Sequence, residues 1–258
     1  MIEALKFTLS GKNAFFKKPD VNTYLYFTYG HIHKVALLGM LGAIVGYDGY
    51  GQKKWTKTKK DEYIEEYPEF YEKLKDLKVS ITPSKGCEYI AKKVHTFNNS
   101  VGYASKETGG NLIVKEQWLE DPSWDIYIIL DTDEAKNIAE YILNRKTIYT
   151  PYLGKNDHLA DISSPEKIEI EKKSFIGDSI SIKSLYPKDI GKIDLEGTED
   201  LEEEYSISFF KYEERLPLSL DGKLNKYETV SLVFTNMLIE IKNDESLFDS
   251  KDGVLAFY

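Results

Sequence analysis

Cysteine is almost absent from this 258-residue chain. The lone Cys87 excludes an internal disulfide and any zinc site built from cysteines, and it suits a reducing compartment, here taken as the cytoplasm. A long apolar run is missing too. The longest, Val35–Val45, carries two glycines and is too short to span a bilayer, so no membrane partner is expected. The opening residues MIEALKFTLSGK lack the basic start and apolar core of a secretory signal. The Gly-x4-Gly-Lys-Ser/Thr spacing of a phosphate loop does not occur, which leaves nucleotide hydrolysis without support. The acids at 199–204 are consecutive rather than set at ligand spacing, so neither a metal nor another cofactor is expected. There are no internal repeats.

Aromatic residues are plentiful, with 19 Tyr and 12 Phe. Such a composition fits a strand-rich core, or stacking platforms for bases. The net charge of −9 at first argues against a polyanion partner, but its distribution is uneven. Residues 1–60 hold ten lysines against Glu3, Asp20 and Asp48, which leaves +7 there and −16 on the remainder.

Period-two alternation marks residues 2–9 as a first strand, and Gly11, Pro19 and Asn22 then mark a loop. Leu25–Tyr29 reads as a short extended piece. HKVALLGMLGAIVGY reads as a buried helix whose Gly39 and Gly42 allow close approach to a sheet. Tyr47–Lys60 is expected to be a surface loop, and Asp61–Leu74 an amphipathic helix weakened at Pro68. Lys78–Thr82 reads as a strand. Residues 87–119 form a long hairpin with a polar, mobile tip at 98–111. Trp124–Leu130 is a buried strand, Asp131 or Thr132 caps the helix DEAKNIAEYILNR, and Thr147–Tyr152 returns as a strand. This order is close to the split βαβ pattern, so the expected fold is α+β, with a ferredoxin-like core at 1–162 and a hairpin inserted at about 87–119. Residues 163–258 are expected to form a β-rich region. Within it, 189–214 holds ten acids against Lys192 and Lys211 and reads as a solvated loop.

Several residues could bind a phosphate chain. Lys12, Lys17 and Lys18 share a loop with Phe15 and Phe16, which sets charge beside flat apolar surface. His31, His33 and Lys34 stand where a loop enters the buried helix, and a helix N-terminus attracts anions. The other reading is that one histidine caps the helix and its neighbour fills space. Gly154, Lys155, Asn156 and His158 make a glycine turn carrying a cation, either a phosphate cradle or an ordinary turn. Tyr29, His31, His33 and Lys34 have the chemistry for metal-independent RNA cleavage, but no spacing singles out an acid–base pair. No catalytic residue is assigned.

FTLSGKNAFFKKPDVNTYLYFTYGHIHKVALLGMLGAIVGY (7–47) and TPYLGKNDHLADI (150–162) together resemble the signature of the CRISPR-associated Cas-five family, notably its type I-B branch. The resemblance implies a RRM-like core of the RAMP superfamily with a protruding hairpin thumb. It implies binding to the 5′ repeat-derived handle of crRNA at one end of Cascade in antiviral defence. The partners would be the backbone subunit and the large subunit. In the type I-C branch the family member itself cuts precursor crRNA, whereas in type I-B a separate endonuclease does so.

Overall fold

A computed structural model describes residues 1–20, 24–52, 56–57, 63–64, 67–84, 86–199 and 208–258. The chain opens with β1 (Ile2–Ser10), β2 (Asn13–Ala14) and α1 (Lys34–Val45). Then come β3 (Thr56–Lys57), β4 (Tyr63–Ile64), α2 (Glu69–Leu74) and β5 (Val79–Pro83). A hairpin follows, β6 (Lys92–Asn98) and β7 (Ile113–Glu120), leading to β8 (Ser123–Ile129), α3 (Asp133–Leu143) and β9 (Asp161–Glu171). The rest is strands: β10 (Ser179–Ile180), β11 (Tyr186–Pro187), β12 (Gly191–Ile193), β13 (Lys211–Leu220) and β14 (Tyr227–Thr235). The last three are β15 (Ile239–Ile241), β16 (Leu247–Ser250) and β17 (Leu255–Ala256).

This is a mixed α/β, strand-rich protein built on a six-stranded sheet of order β17-β16-β9-β1-β8-β5, with antiparallel neighbours throughout. The alternation of β1 explains its central place. Leu5, Phe7 and Leu9, opposite Ile128, Ile126 and Trp124, face the helices in the main core. Ala4, with Tyr127, Ile129, Ile168 and Ile170, faces the other way against Phe248, Leu255 and Phe257. Each large apolar side chain so buried contributes about 1.5–3 kcal/mol. Val79 and Tyr258 exchange backbone hydrogen bonds at 3.2 and 3.1 Å, which joins the two ends of the sheet and nearly closes it.

The apolar run at 35–45 forms α1, which is covered by α2, α3 and β13. Gly46 ends it in the left-handed region (φ 86°), with Gly46 N–H donating to Ala43 O and Tyr47 N–H to Gly42 O. The close approach expected at Gly42 is to α2 rather than to a sheet: a Cβ there would lie 2.5 Å from Phe70 Cβ. Thr132, not Asp131, caps α3 by accepting from Ala135 N–H.

Four expectations change. The proposed helix at 61–74 shrinks to Glu69–Leu74, because Pro68 disfavours helix before it; Tyr63–Ile64 pairs as a strand, and 61–62 and 65–66 lie outside the described residues. Thr147–Tyr152 is not a strand, since Ile148 and Tyr149 donate their N–H groups to Ile44 O and Ala43 O at the end of α1. The expected boundary at 162/163 falls inside β9, and β16 and β17 extend the same sheet; Leu216, Leu220, Leu232 and Phe234 belong to the main core. The acidic stretch 189–214 contains β12 and the start of β13, while its residues 200–207 lie outside the described residues. Among the described residues, no helix is long and apolar enough to cross a membrane.

Candidate nucleic-acid interface

Four segments converge at the base of the β6–β7 hairpin. β2 pairs with β7, Asn13 opposite Glu120. Residues 16–18 pair with 27–29 through Tyr29 N–H to Phe16 O and Lys18 N–H to Phe27 O, both 2.9 Å. Tyr26 in turn bridges to β7, donating to Lys115 O at 2.9 Å and accepting from Gln117 N–H at 2.8 Å. Finally, Leu153 O accepts from Phe15 N–H at 3.0 Å, which seats the LGKN turn on the same strip. Gly154 has φ 86°, and a Cβ there would lie 1.9 Å from Phe15 O. Glycine is required here because its own chain's backbone approaches on the side where a Cβ would stand.

The structure divides the residues expected to touch RNA. Phe16, His31, His33 and Lys34 are buried. Phe16 packs 6.1 Å from both Trp124 and His33, so it offers no open face for stacking. His31 is fully enclosed; its Nδ1 accepts from Trp124 Nε1–H at 3.0 Å, and its Nε2 makes no hydrogen bond. His33 is the N-cap of α1, with Nδ1 accepting from Ala36 N–H at 3.2 Å. Burial holds His31 down at about 4 and His33 at about 3, so both are neutral. One histidine caps and the other fills space. The helix is apolar on every side, so its N-terminus lies inside the fold and Lys34 goes in with it. Burial lowers the Lys34 ammonium to about 8, with Asp76 opposing the shift.

The remaining cations do not form one bare patch. Lys12 pairs with Asp121 at 2.8 Å, and Lys155 with Glu116 at 2.8 Å. Lys18 pairs with Glu214, which also accepts from Gly30 N–H and the Tyr212 hydroxyl. Burial disfavours the Glu214 charge, but those three donors together hold its carboxyl below the usual range. Lys17 is exposed and lies over the Tyr26 ring at 4.0 Å. Asn156 is exposed, and His158 is buried with neither ring nitrogen hydrogen-bonded; burial lowers its pKa. The lysines expected to bind phosphate therefore carry largely neutralised charge rather than forming one cationic face.

The sequence reading missed an aromatic ledge. Opposed residues of an antiparallel pair share a face, so β6 and β7 present Lys93, His95 and Phe97 together with Trp118 and Glu116. His95 stacks on Trp118 at 4.1 Å and 18°, and His158 meets the same indole edge-on at 4.4 Å. The Lys155 ammonium lies 4.9 Å from the Phe97 ring and 5.2 Å from Trp118. Glu116 fixes the assembly by accepting from both Trp118 Nε1–H (2.7 Å) and Lys155 Nζ. The period-two series Lys93, His95 and Phe97 in the first hairpin arm, opposite Trp118 in the second, was the signal that could have found this ledge. Its chemistry is that of rings and cations on one surface, which suits bases and phosphates of a single strand. Among the described residues, no three His, Cys, Asp or Glu side chains gather to hold a metal ion.

No family model and no curated protein matches this sequence. Among solved structures, a chain of a CRISPR RNA-guided surveillance complex is similar over 92% of this chain and 91% of its own, at 14% identity and TM-score 0.49. A CRISPR protein from Archaeoglobus fulgidus is similar over 98% of both chains, at 10% identity and TM-score 0.49. A chain of the type III-B Cmr-beta complex bound to cognate target RNA covers 94% of this chain and 90% of its own, at 12% identity and TM-score 0.42. With scores this low, these likenesses do not fix a role for this chain.

Proposed function

We propose that this chain is a non-catalytic RNA-binding subunit of a CRISPR surveillance complex, which grips the 5′ repeat-derived handle of crRNA and caps one end of the assembly. The observation that carries this reading is the half-buried ledge of Trp118, His95 and Phe97, with exposed Lys93 on the same face and, beside it, Lys17 on Tyr26. Stacked rings interleaved with ammonium groups bind a flexible polyanion without needing a large net positive charge. The strand order β9-β1-β8-β5, with β6–β7 inserted between β5 and β8, supports a ferredoxin-like core carrying a hairpin thumb. Exposed Tyr103, Leu112 and Ile113 around the hairpin tip suit contact with a backbone subunit. A binding role is favoured over cleavage because the side chains with acid–base chemistry are withdrawn: His31, His33 and Lys34 are buried, and Tyr29, also buried, is pushed up to about 12.

The test is affinity for repeat RNA measured over a range of salt concentrations. Lys17→Glu with Lys93→Glu is expected to weaken binding about tenfold and to flatten the salt dependence by about 0.7 per lysine. Unchanged affinity removes the binding reading. Specific cleavage of repeat RNA by the purified chain in EDTA removes the non-catalytic part.

A further inference from the structure

A cleft of about 300 Å³ opens where α3 ends, at the small end of the range for ligand sites. Buried Ile44 and Ile142 back it. Exposed Arg145 and Lys146 stand on the α3 side, and Asp161 and Ser163 on the β9 side.

Arg145 is held in an unusual conformation. Its N–H donates to Ile142 O at 3.1 Å, and the next N–H, of Lys146, donates to Tyr141 O at 2.8 Å. Glycine ordinarily stands at this place in a helix ending, because the backbone must turn left-handed there. Arg145 has φ 53°. A cation at the end of a helix also suits its dipole. Yet the last turn of α3 holds no basic residue, although one there would serve the dipole in ordinary helical backbone. The chain has only two arginines, and Arg215 gives its guanidinium to Thr229, at 3.1 Å to both Oγ1 and O. Among the described residues, no carboxylate pairs with Arg145 or Lys146, and Asp161 is the one carboxylate of the cleft.

An open guanidinium fork beside an ammonium matches the oxygens of a phosphate group. The turn that carries Lys155 to the ledge says which phosphate. Ala160 N–H donates to Pro151 O at 3.0 Å, and Leu153 N–H to His158 O at 2.8 Å, so residues 151–160 fold back on themselves. Pro151 and Ala160, at the base of this turn, line the cleft. Lys155 lies only four residues from Pro151, at most about 14 Å along the backbone, which is the reach of a few nucleotides. We infer that this cleft holds a phosphate of the same single-stranded RNA, a few nucleotides beyond the ledge, on Arg145 and Lys146. This rests on the RNA-binding reading above.

The test uses the full chain with fluorescent single-stranded RNAs of about 6 and about 12 nucleotides, the shorter filling the ledge alone and the longer reaching the cleft. Arg145→Gly with Lys146→Gln is expected to lower the salt dependence of binding the longer RNA by about 1.4, two phosphate contacts on a single strand. At about 0.15 M salt that is about a tenfold weaker affinity. Binding of the shorter RNA should not change. Asp161→Asn should strengthen binding of the longer RNA. Arg145→Gly alone should melt at or above the temperature of the unaltered chain, because glycine is at ease in this backbone. If it melts lower and binds RNA normally, Arg145 serves the helix end and the inference is overturned. If the double variant binds the longer RNA normally, the cleft assignment falls while RNA binding stands. If it weakens both lengths equally, the cleft is not a separate site beyond the ledge. If Asp161→Asn weakens binding, the cleft takes a cation and the inference is likewise overturned. If the unaltered chain binds neither RNA, the RNA-binding reading falls and takes the cleft with it.

Discussion

The hairpin base and the cleft at the end of α3 are joined by one turn but oppositely arranged. At the hairpin base most cations already have carboxylate partners: Lys12 with Asp121, Lys18 with Glu214, Lys155 with Glu116. In the cleft, Arg145 and Lys146 have no such partner among the described residues, and exposed Tyr149 and Tyr152 stand on the same stretch of chain. A surplus of lysine in the first 60 residues is therefore a poor guide to where a polyanion binds. The acidic remainder of the chain folds back to supply counter-charges. Exposed rings are the more durable signal, because a carboxylate arriving from elsewhere in the chain does not cancel them.

The comparison is broken most severely if the LGKN turn proves to be a loose, ligand-responsive loop. Gly154→Ala places a Cβ against Phe15 O in a backbone region that alanine avoids. A loss of about 3 kcal/mol or more is expected, read as a large fall in melting temperature with no ligand present. A variant as stable as the parent would mean that the turn is not the structural joint between ledge and cleft.

Acid tests the buried histidines next. The fold holds His31 at about 4 and His33 at about 3, against an unfolded value of about 6.5. The unfolded chain thus takes up protons first as the pH falls. Stability is complete above about pH 6.5 and drains away toward pH 4, by about 2 kcal/mol per histidine between pH 7 and pH 5. His33→Asn keeps an N-cap acceptor and removes one titration, so it should reduce the slope of melting temperature against pH without abolishing it, since His31 and His158 remain. An unaltered slope would show that His33 is not held neutral in the core.

What the sequence made legible was local. The apolar run at 35–45, the capped amphipathic helix at 133–143, the strand at 124–129 and the hairpin arms all follow from periodicity and caps within a dozen residues. What it hid depends on distant partners. Residues 147–152 look like a strand, but their N–H groups are claimed by α1, about a hundred residues earlier. Lys18 looks like a solvated cation until Glu214 arrives beside it. The burial of His31, His33 and Lys34 was within reach, since a helix with no polar side has no reason to leave its N-terminus in water. The share of β9, β16 and β17 in one sheet with β1 was not, because no local pattern reports which edge a late strand joins.

A smaller effect sharpens the contrast at the ledge. Lys155→Met leaves the Glu116 carboxylate, itself buried, with only the Trp118 indole as donor. A cost of about 1.5–3 kcal/mol is expected, and Lys155→Met with Glu116→Gln should recover most of it. Measured as a double-mutant cycle, a coupling of about 0.5 kcal/mol or less would mean that the pair is a surface contact and that the ledge is not fixed by it.

The smallest effect on stability is expected at Lys17, and there the two regions separate most cleanly. Lys17 is exposed on Tyr26 and stands apart from the cleft lining. Lys17→Glu should leave the melting temperature almost unchanged, within about 0.5 kcal/mol. Its salt dependence of RNA binding should fall by about 0.7, the signature of one lost phosphate contact on a single strand. Because the ledge is filled by a short strand as by a long one, the loss should be equal on RNAs of about 6 and about 12 nucleotides. The cleft cations should instead discriminate between those two. A Lys17 variant that also discriminated between them would mean that ledge and cleft act as a single surface, and the division between them would have to be abandoned.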